Sequence, residues 1–269
     1  MQVAGKTFVV TGAGNGIGRE VVLGLLAGGA RVAAVDLRAE ALAETAGMAS
    51  AGERLSTHAT DVSDRHAVAG MVEEALAAHG GVDGLLNIAG IIQPFVRVID
   101  LDIEAMEKVM AVNFWGVVYT TKALLPHLLS RPQACLINVS SMGGFTPVPG
   151  QSAYGASKAA VMLFTEGLYA ELRHTPVAVT VVFPGAIGTD IATHSGVAIE
   201  VGAAQEQDSF PTTSAQEAAR QIIRAVEKGP YRVLIGKDAR SLDVMSRLAP
   251  QRATDMIAKK MKALLDLSR

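Results

Sequence analysis

Tyr154 and Lys158 stand four residues apart in a stretch of good helix formers, Ser152–Arg173, which puts both side chains on one helix face. That pair could move a proton. A phenol has an ordinary pKa of ~10, and bringing it down to ~7 needs ~4 kcal/mol of differential stabilisation, part of which a neighbouring ammonium can supply. Far upstream, Thr11-Gly12-Ala13-Gly14-Asn15-Gly16-Ile17-Gly18 separates an apolar β-branched run from a helical segment. Glycines in that place allow a tight turn and let backbone N–H groups approach a pyrophosphate seated on the helix N-terminus. Asp36 ends the next apolar run, 18 residues after Gly18. A carboxylate there accepts hydrogen bonds from adenosine ribose hydroxyls and repels a 2′-phosphate, which favours NAD over NADP. The plainer role for Asp36 is to cap the helix that follows it. Arg38, two residues on, could soften the preference for NAD.

These residues need elements to hold them. Lys6–Thr11, Arg31–Asp36, Leu55–Ala59, Val82–Asn87, Ala134–Ser140, Val177–Phe183 and Tyr231–Ile235 read as strands, most of them apolar without alternation. Between them lie helical segments at Arg19–Ala27, Ala39–Met48, Ser63 to His79 with Ser63 as N-cap, Ile103–Leu129, Ser152–Arg173 and Ser214–Glu227. Strand and helix alternate throughout, the pattern of a doubly wound α/β fold: a Rossmann-type parallel sheet of about seven strands with helices on both faces. No linker or repeat interrupts the 269 residues, so a single domain is expected over 1–269. Two segments depart from the rhythm: a polar, small-residue insert at Asp190–Pro211, and the extension 237–269.

Composition narrows the function. With 24 Lys plus Arg against 26 Asp plus Glu, the net charge of −2 gives no electrostatic reason to hold nucleic acid. One cysteine excludes an internal disulfide, and no Cys/His cluster has metal-ligand spacing. No apolar stretch is long enough to span a membrane, and the N-terminus lacks a signal-peptide layout. A cytoplasmic enzyme without a catalytic metal is the expectation.

The spacing of Gly12, Gly16 and Gly18, the Tyr154-Gly-Ala-Ser-Lys158 segment and Ser141 thirteen residues before Tyr154 together resemble the short-chain dehydrogenase/reductase family. Asn87-Ile-Ala-Gly90, Asp61-Val62, Asn113 and Pro184-Gly-Ala-Ile-Gly-Thr189 resemble its remaining motifs, in the same order, from about Lys6 to Gly236. Ile88 departs from the pattern, since the family commonly has a second Asn there that could brace the loop. The resemblance implies a catalytic set of Asn113, Ser141, Tyr154 and Lys158, with a nicotinamide cofactor as hydride partner. Tyr154 would take the hydroxyl proton, Ser141 would hold the substrate oxygen, and Lys158 would bind the nicotinamide ribose. Asn113 would interrupt its helix, hold a water and link Lys158 to solvent. Cofactor contacts are implied at Gly12, Asn15, Gly16, Ile17, Gly18, Asp36, Leu37, Asp61, Val62, Asn87, Ala89, Gly90, Tyr154, Lys158, Pro184, Gly185, Ile187 and Thr189. Asp61 has a loop cap as its alternative, and Ser140 is expected to be the strand-end cap beside Ser141.

The substrate pocket should lie outside the carboxyl ends of strands four to six. Its expected lining includes Gln93, Met142 and Gln151, with Ile92, Phe95, Gly143, Gly144 and the 190–211 insert nearby. Most of these are apolar or small, and no Lys/Arg cluster approaches them. That suits a small lipophilic secondary alcohol or ketone better than a carrier-bound or phosphorylated substrate. A non-catalytic NAD sensor is the other class, but it has no use for Ser141, Tyr154, Lys158 and Asn113 together. The family's assembly implies a homodimer or homotetramer. Met256, Ile257, Met261, Leu264 and Leu265 share one face of a helix in the extension, with Lys259, Lys260 and Lys262 polar. That helix could dock on its own protein, on a partner subunit or on a membrane surface.

Overall fold

A computed structural model describes residues 1–189, 191–195, 197 and 212–266, the side chains of 263–266 excepted. Most of the insert at 190–211 therefore lies outside the described residues. The apolar runs form strands β1 (Thr7–Thr11), β2 (Arg31–Asp36), β3 (Leu55–Ala59), β4 (Gly84–Asn87), β5 (Ala134–Val139) and β6 (Val177–Pro184). A short pair, β7 (Ile187–Gly188) and β8 (Thr213–Ser214), stands apart, and β9 (Arg232–Ile235) completes the main sheet. Its order is β3-β2-β1-β4-β5-β6-β9, with every pair parallel. Parallel strands need crossovers, and helices supply them on both faces. These are α1 (Gly16–Ala27), α2 (Ala39–Ala49), α3 (Arg65–His79), α4 (Ile103–Met110), α5 (Gly116–Leu129), α6 (Ser152–Glu171), α7 (Ile191–His194), α8 (Ala215–Lys228), α9 (Lys237–Leu248) and α10 (Pro250–Asp266).

Burial on both faces explains why the strands carry no alternation. Phe8, Val10, Val32, Ala34 and Ile137 face the layer of α1 and α8, while Val9, Ala33, Leu85, Leu136 and Val179 face α3, α5 and α6. Strand order reverses between β1 and β4, so the chain leaves those two strands in opposite directions. That opens a crevice at their carboxyl ends, where the glycine loop and the loop after β4 meet.

The helical segment over 103–129 is interrupted at Asn113, as expected, by a π-helical turn at Ala111–Trp115 between α4 and α5. Two local expectations change. The cap of α3 is Asp64, not Ser63: its Oδ1 accepts from the N–H groups of His66 and Ala67, while Ser63 is drawn into a turn with Asp61. The glycine loop passes straight into α1, which begins at Gly16 and so brings the helix N-terminus up to the loop itself.

Beneath the crevice, at the other end of the sheet, Asp83 is a buried carboxylate. It accepts from Thr7 N at 3.0 Å and from Arg131 Nε at 2.8 Å, with Lys6 Nζ at 3.5 Å. Both cations reach solvent, so deleting the carboxylate strands one backbone N–H without leaving a buried charge. Asp83→Leu is expected to cost about 1–3 kcal/mol of stability by chemical denaturation.

Candidate active site

The glycine loop is built for close approach. A Cβ at Gly18 would lie 1.9 Å from the Gly12 carbonyl oxygen, and one at Gly12 2.8 Å from the Ala89 nitrogen. Gly12 and Gly16 also have φ of +71° and +50°, which L side chains rarely adopt. A Cβ at Gly16 would meet Thr189 at 3.3 Å, so the loop after β6 closes against the same turn. Asp36 is half-buried at the rim. Its Oδ2 accepts from Gly14 N at 2.9 Å and its Oδ1 from Arg38 N at 3.1 Å, leaving each oxygen a further lone pair. Asn15 and Ile17 are half-buried in the turn, and Leu37 is 67% exposed beside Asp36. Asp61 accepts from both the N–H and the hydroxyl of Ser63, and Val62 packs against Gly116.

The loop after β4 is braced differently from the family pattern. Thr11 Oγ1 accepts from Ile88 N at 3.0 Å and Ala89 N at 3.2 Å, while Ile88 turns its side chain to the core. A hydroxyl from β1 thus secures the loop whose second Asn is missing. Asn87 is a strut: its amide bonds Asn138 and the hydroxyls of Thr120 and Thr121, all buried. It also lines a small pocket with Thr11, Val62 and Ala89.

Ser141, Tyr154 and Lys158 converge at the end of β5. The Ser141 hydroxyl accepts from Gly143 N at 3.0 Å, which makes Ser141 the strand-end cap. Ser140 instead donates to the Lys158 carbonyl at 2.7 Å and pins β5 to α6. Gly143 lies between the Ser141 hydroxyl and the Tyr154 ring, each 3.5 Å from where its Cβ would stand. Lys158 is 4% exposed; its Nζ donates to the Val139 carbonyl at 3.1 Å and lies 5.9 Å from the Tyr154 ring centre. Burial lowers the Lys158 pKa to about 8, which still leaves the ammonium mostly protonated at neutral pH. Burial pushes the Tyr154 phenol up, and the hydrogen bond with Ser141 opposes that only in part.

Asn113 is fully buried in the π turn. Its Oδ1 accepts from Ile91 N at 2.8 Å, and its Nδ2 donates to the Ile91 carbonyl at 2.9 Å and to Ser157 Oγ at 3.0 Å. A Cβ at Gly90 would lie 3.1 Å from Lys158 Nζ and 3.3 Å from Asn113 Oδ1, so a side chain there would press on both.

On the substrate side, Met142 is half-buried beside Ser141. Gln93 is not a lining residue: it is 1% exposed and both ends of its amide are bonded to backbone. Gln151 donates to the Gln93 carbonyl at 2.8 Å, while its Oε1 is buried without a partner. Ser195, after α7, accepts from Ile92 N at 3.0 Å and so ties the insert to the loop after β4.

Three contributors carry no sequence signature. Arg19 donates to the Gly14 carbonyl and to Thr45 at 3.1 Å, bracing the glycine loop from α1. Asp238, in the first turn of α9, accepts from Ala186 N at 2.6 Å and occupies the space a Cβ on Gly185 would fill. Ser246 on α9 bonds Thr146 at 2.6 Å. The helix α9 therefore docks on its own protein at the rim of the crevice. A cavity of about 440 Å³ opens beside the glycine loop, lined among others by Asn15, Arg19, Arg38, Gly188 and Thr189. Among the described residues, no group of three or more His, Cys, Asp or Glu could hold a metal ion, and no helix is long and apolar enough to cross a membrane.

The comparisons with known proteins agree with this geometry. Residues 6–198 match the family described as short chain dehydrogenase. The chain is 38% identical over 256 residues to a protein of Mycobacterium tuberculosis named as the oxidoreductase SadH, covering 91% of each. It is 34% identical to dehydrogenase/reductase SDR family member 7B of Bos taurus, covering 92% of this chain and 79% of that one. A short-chain dehydrogenase/reductase from Burkholderia phymatum in complex with NAD has a similar structure, with a TM-score of 0.85 at 26% identity, over 93% of this chain and 95% of that one. So does a short chain dehydrogenase from Burkholderia cenocepacia in complex with NADP, with a TM-score of 0.80 at 28% identity, over 96% and 99%. With the glycine turn, the Ser141–Tyr154–Lys158 cluster and these matches in agreement, the chain is an oxidoreductase of the short-chain dehydrogenase/reductase family.

Proposed function

We propose that the protein interconverts a lipophilic secondary alcohol and its ketone, with NAD preferred over NADP. The observation that carries this reading is the convergence of the Ser141 hydroxyl, the Tyr154 phenol and the Lys158 ammonium at the carboxyl end of β5. The crevice fits a dinucleotide: Gly12, Gly14, Gly16 and Gly18 leave a cradle without side chains at the start of α1, and Thr189 closes it. A bound nicotinamide dinucleotide supplies the hydride acceptor in oxidation and the donor in reduction.

The chain's own residues handle the oxygen and the proton. Ser141 donates to the substrate oxygen and stabilises charge that develops on it. Tyr154 takes the hydroxyl proton in oxidation and returns it in reduction. Lys158 holds positive charge near the phenol and is placed to meet the ribose of the cofactor. Asn113 fixes the turn behind Lys158 through Ile91 and Ser157. Asp36 presents lone pairs to ribose hydroxyls and a negative charge to any 2′-phosphate. The few charges around Met142 and Gly143 suit an uncharged substrate. Assembly as a homodimer or homotetramer in the cytoplasm belongs to this reading. Half-exposed Trp115 and exposed Leu163 give apolar surface for subunit contact.

Absorbance of NADH, followed with a panel of cyclic and long-chain secondary alcohols, tests the proposal. Tyr154→Phe is expected to lower kcat by about 10²–10⁴-fold with NAD binding retained. Turnover that survives this change would overturn it. Asp36→Ser is expected to raise KM for NAD at least about tenfold, one lost hydrogen bond to a charged group being worth roughly 1.5–3 kcal/mol; a variant with unchanged NAD/NADP preference would remove Asp36 from the account.

Lys158 also makes a stability prediction. Its folded pKa of about 8 lies below its ordinary 10.5. The buried charge thus opposes folding fully below pH 8, by about 3 kcal/mol, and the penalty fades as pH rises to 10.5. Lys158→Met, which removes that charge, is expected to be inactive yet to melt above wild type at pH 7. The gap should narrow between pH 8 and 10.5. A variant that melts below wild type at pH 7 would contradict the argument.

A further inference from the structure

We propose that Gln93 is a positioning residue for the reaction, its side-chain carbonyl setting the first turn of α6 and hence the place of the Tyr154 phenol. The inference rests on Tyr154 being the proton-transfer group, and it assigns Gln93 a role other than lining the pocket.

A helix leaves its first four N–H groups without internal partners, and a side chain one to three residues upstream commonly meets one of them. Asp64 does so for α3, and Ser214 for α8. The residue in that place before α6 is Gln151, whose side chain makes no such bond. Gln93 supplies the partner from sixty residues away. Its Oε1 accepts from Ala153 N at 2.8 Å and from Tyr154 N at 3.0 Å, so one of its two bonds is to the backbone of the reacting residue itself. Its Nε2 donates to the Gly150 carbonyl at 3.0 Å, and its own carbonyl accepts from Gln151 Nε2 at 2.8 Å. Every arm of the residue is therefore bonded to the segment that leads into α6.

A local cap would hold the helix end but would not tell it where to sit against the sheet. A cap from the loop after β4 does both. Two residues earlier in that loop, Ile91 grips Asn113, and Asn113 holds Ser157, one turn into the same helix. Gly90 lies against Lys158 Nζ. Between Gly90 and Gln93 the loop thus measures off the first two turns of α6, with Tyr154 at one end and Lys158 at the other. If Gln93 releases the first turn, the phenol drifts from Ser141 and Lys158 while the core beneath stays packed.

The test compares Gln93→Met, which keeps the length and removes the acceptor, with Gln93→Glu, which as a buried protonated acid keeps an oxygen for both N–H groups and a donor for the Gly150 carbonyl. A misplacement of about 1 Å can cost about 10²-fold in rate. Gln93→Met is expected to lower kcat by about that factor with KM for NAD within twofold, and Gln93→Glu to recover at least about tenfold of the loss. A second readout needs no substrate. The phenolate absorbance of each protein, less that of its Tyr154→Phe counterpart, gives the titration of Tyr154 alone. Gln93→Met should raise its midpoint, because the phenol moves away from the Ser141 hydroxyl, whose hydrogen bond lowers it. If Gln93→Met does not fold, Gln93→Asn, too short to reach both N–H groups, takes its place. Wild-type kcat and an unmoved midpoint in the acceptor-less variant, whatever its melting temperature, would overturn the proposal. If wild type shows no turnover that depends on Tyr154, the proposed function fails, and the titration midpoint still decides the role of Gln93.

Discussion

The seam between the end of β5 and the second turn of α6 is the contact on which the site depends. There a loop runs directly over helix backbone. A Cβ at Gly144 would lie 2.8 Å from the Lys158 carbonyl carbon, and the Ser140 hydroxyl bonds the carbonyl oxygen. With no side chain between them, the distance from sheet to helix is set by van der Waals contact and one hydrogen bond. Ser141 hangs from one side of that seam, and Tyr154 and Lys158 from the other. A larger residue at Gly144 would part the two sides and separate the hydroxyl from the phenol without touching either.

A second layer of buried polar side chains keeps the seam in register. Asn87 on β4 and Asn138 on β5 bond each other and reach Thr120 on α5 and Thr165 on α6. Buried amides are costly unless satisfied, and these are satisfied mainly by one another. A hydrophobic core at that depth would tolerate small slips of helix over sheet, because apolar contacts are not directional. An amide ladder does not, since a slip would break several buried bonds together. The polar network thus lies one layer below the reacting groups, where rigidity matters most for their placement.

The parallel sheet was legible because its strands are short apolar runs without alternation, and the order of helices and strands leaves little choice of topology. The glycine turn and Tyr154-Lys158 were legible for a similar reason: their geometry is local, set by residues three to five apart. What escaped was long-range or conditional on packing. Gln93 reads as a polar residue near a pocket mouth, and only the fold shows that the N-terminus of α6 lies over it. Asn87 reads as a cofactor contact, and only the fold shows that the neighbouring strand also brings Asn138 beside it. Ser141, not Ser140, caps the strand end, and Ser140 bonds α6 instead, because adjacent residues on a strand point to opposite faces. The π turn at Ala111–Trp115 has no periodic mark, and the interruption at Asn113 was legible only through the family resemblance.

The extension after β9 shows how a segment outside the matched family residues becomes part of the site. Asp238 fills the space beside Gly185 and takes the N–H of Ala186, in the loop whose Thr189 closes on the glycine turn. Eight residues later on the same helix, Ser246 bonds Thr146, just past the turn that follows Ser141. Arg232, over the face of Phe183, pairs with Asp243 between those two points and ties α9 to the sheet. One helix therefore spans the loops after β5 and β6 and holds them at a fixed separation. Those loops are the two sides of the crevice that carry Ser141 and the segment nearest the glycine turn. The helix α9 is thus a strut across the site.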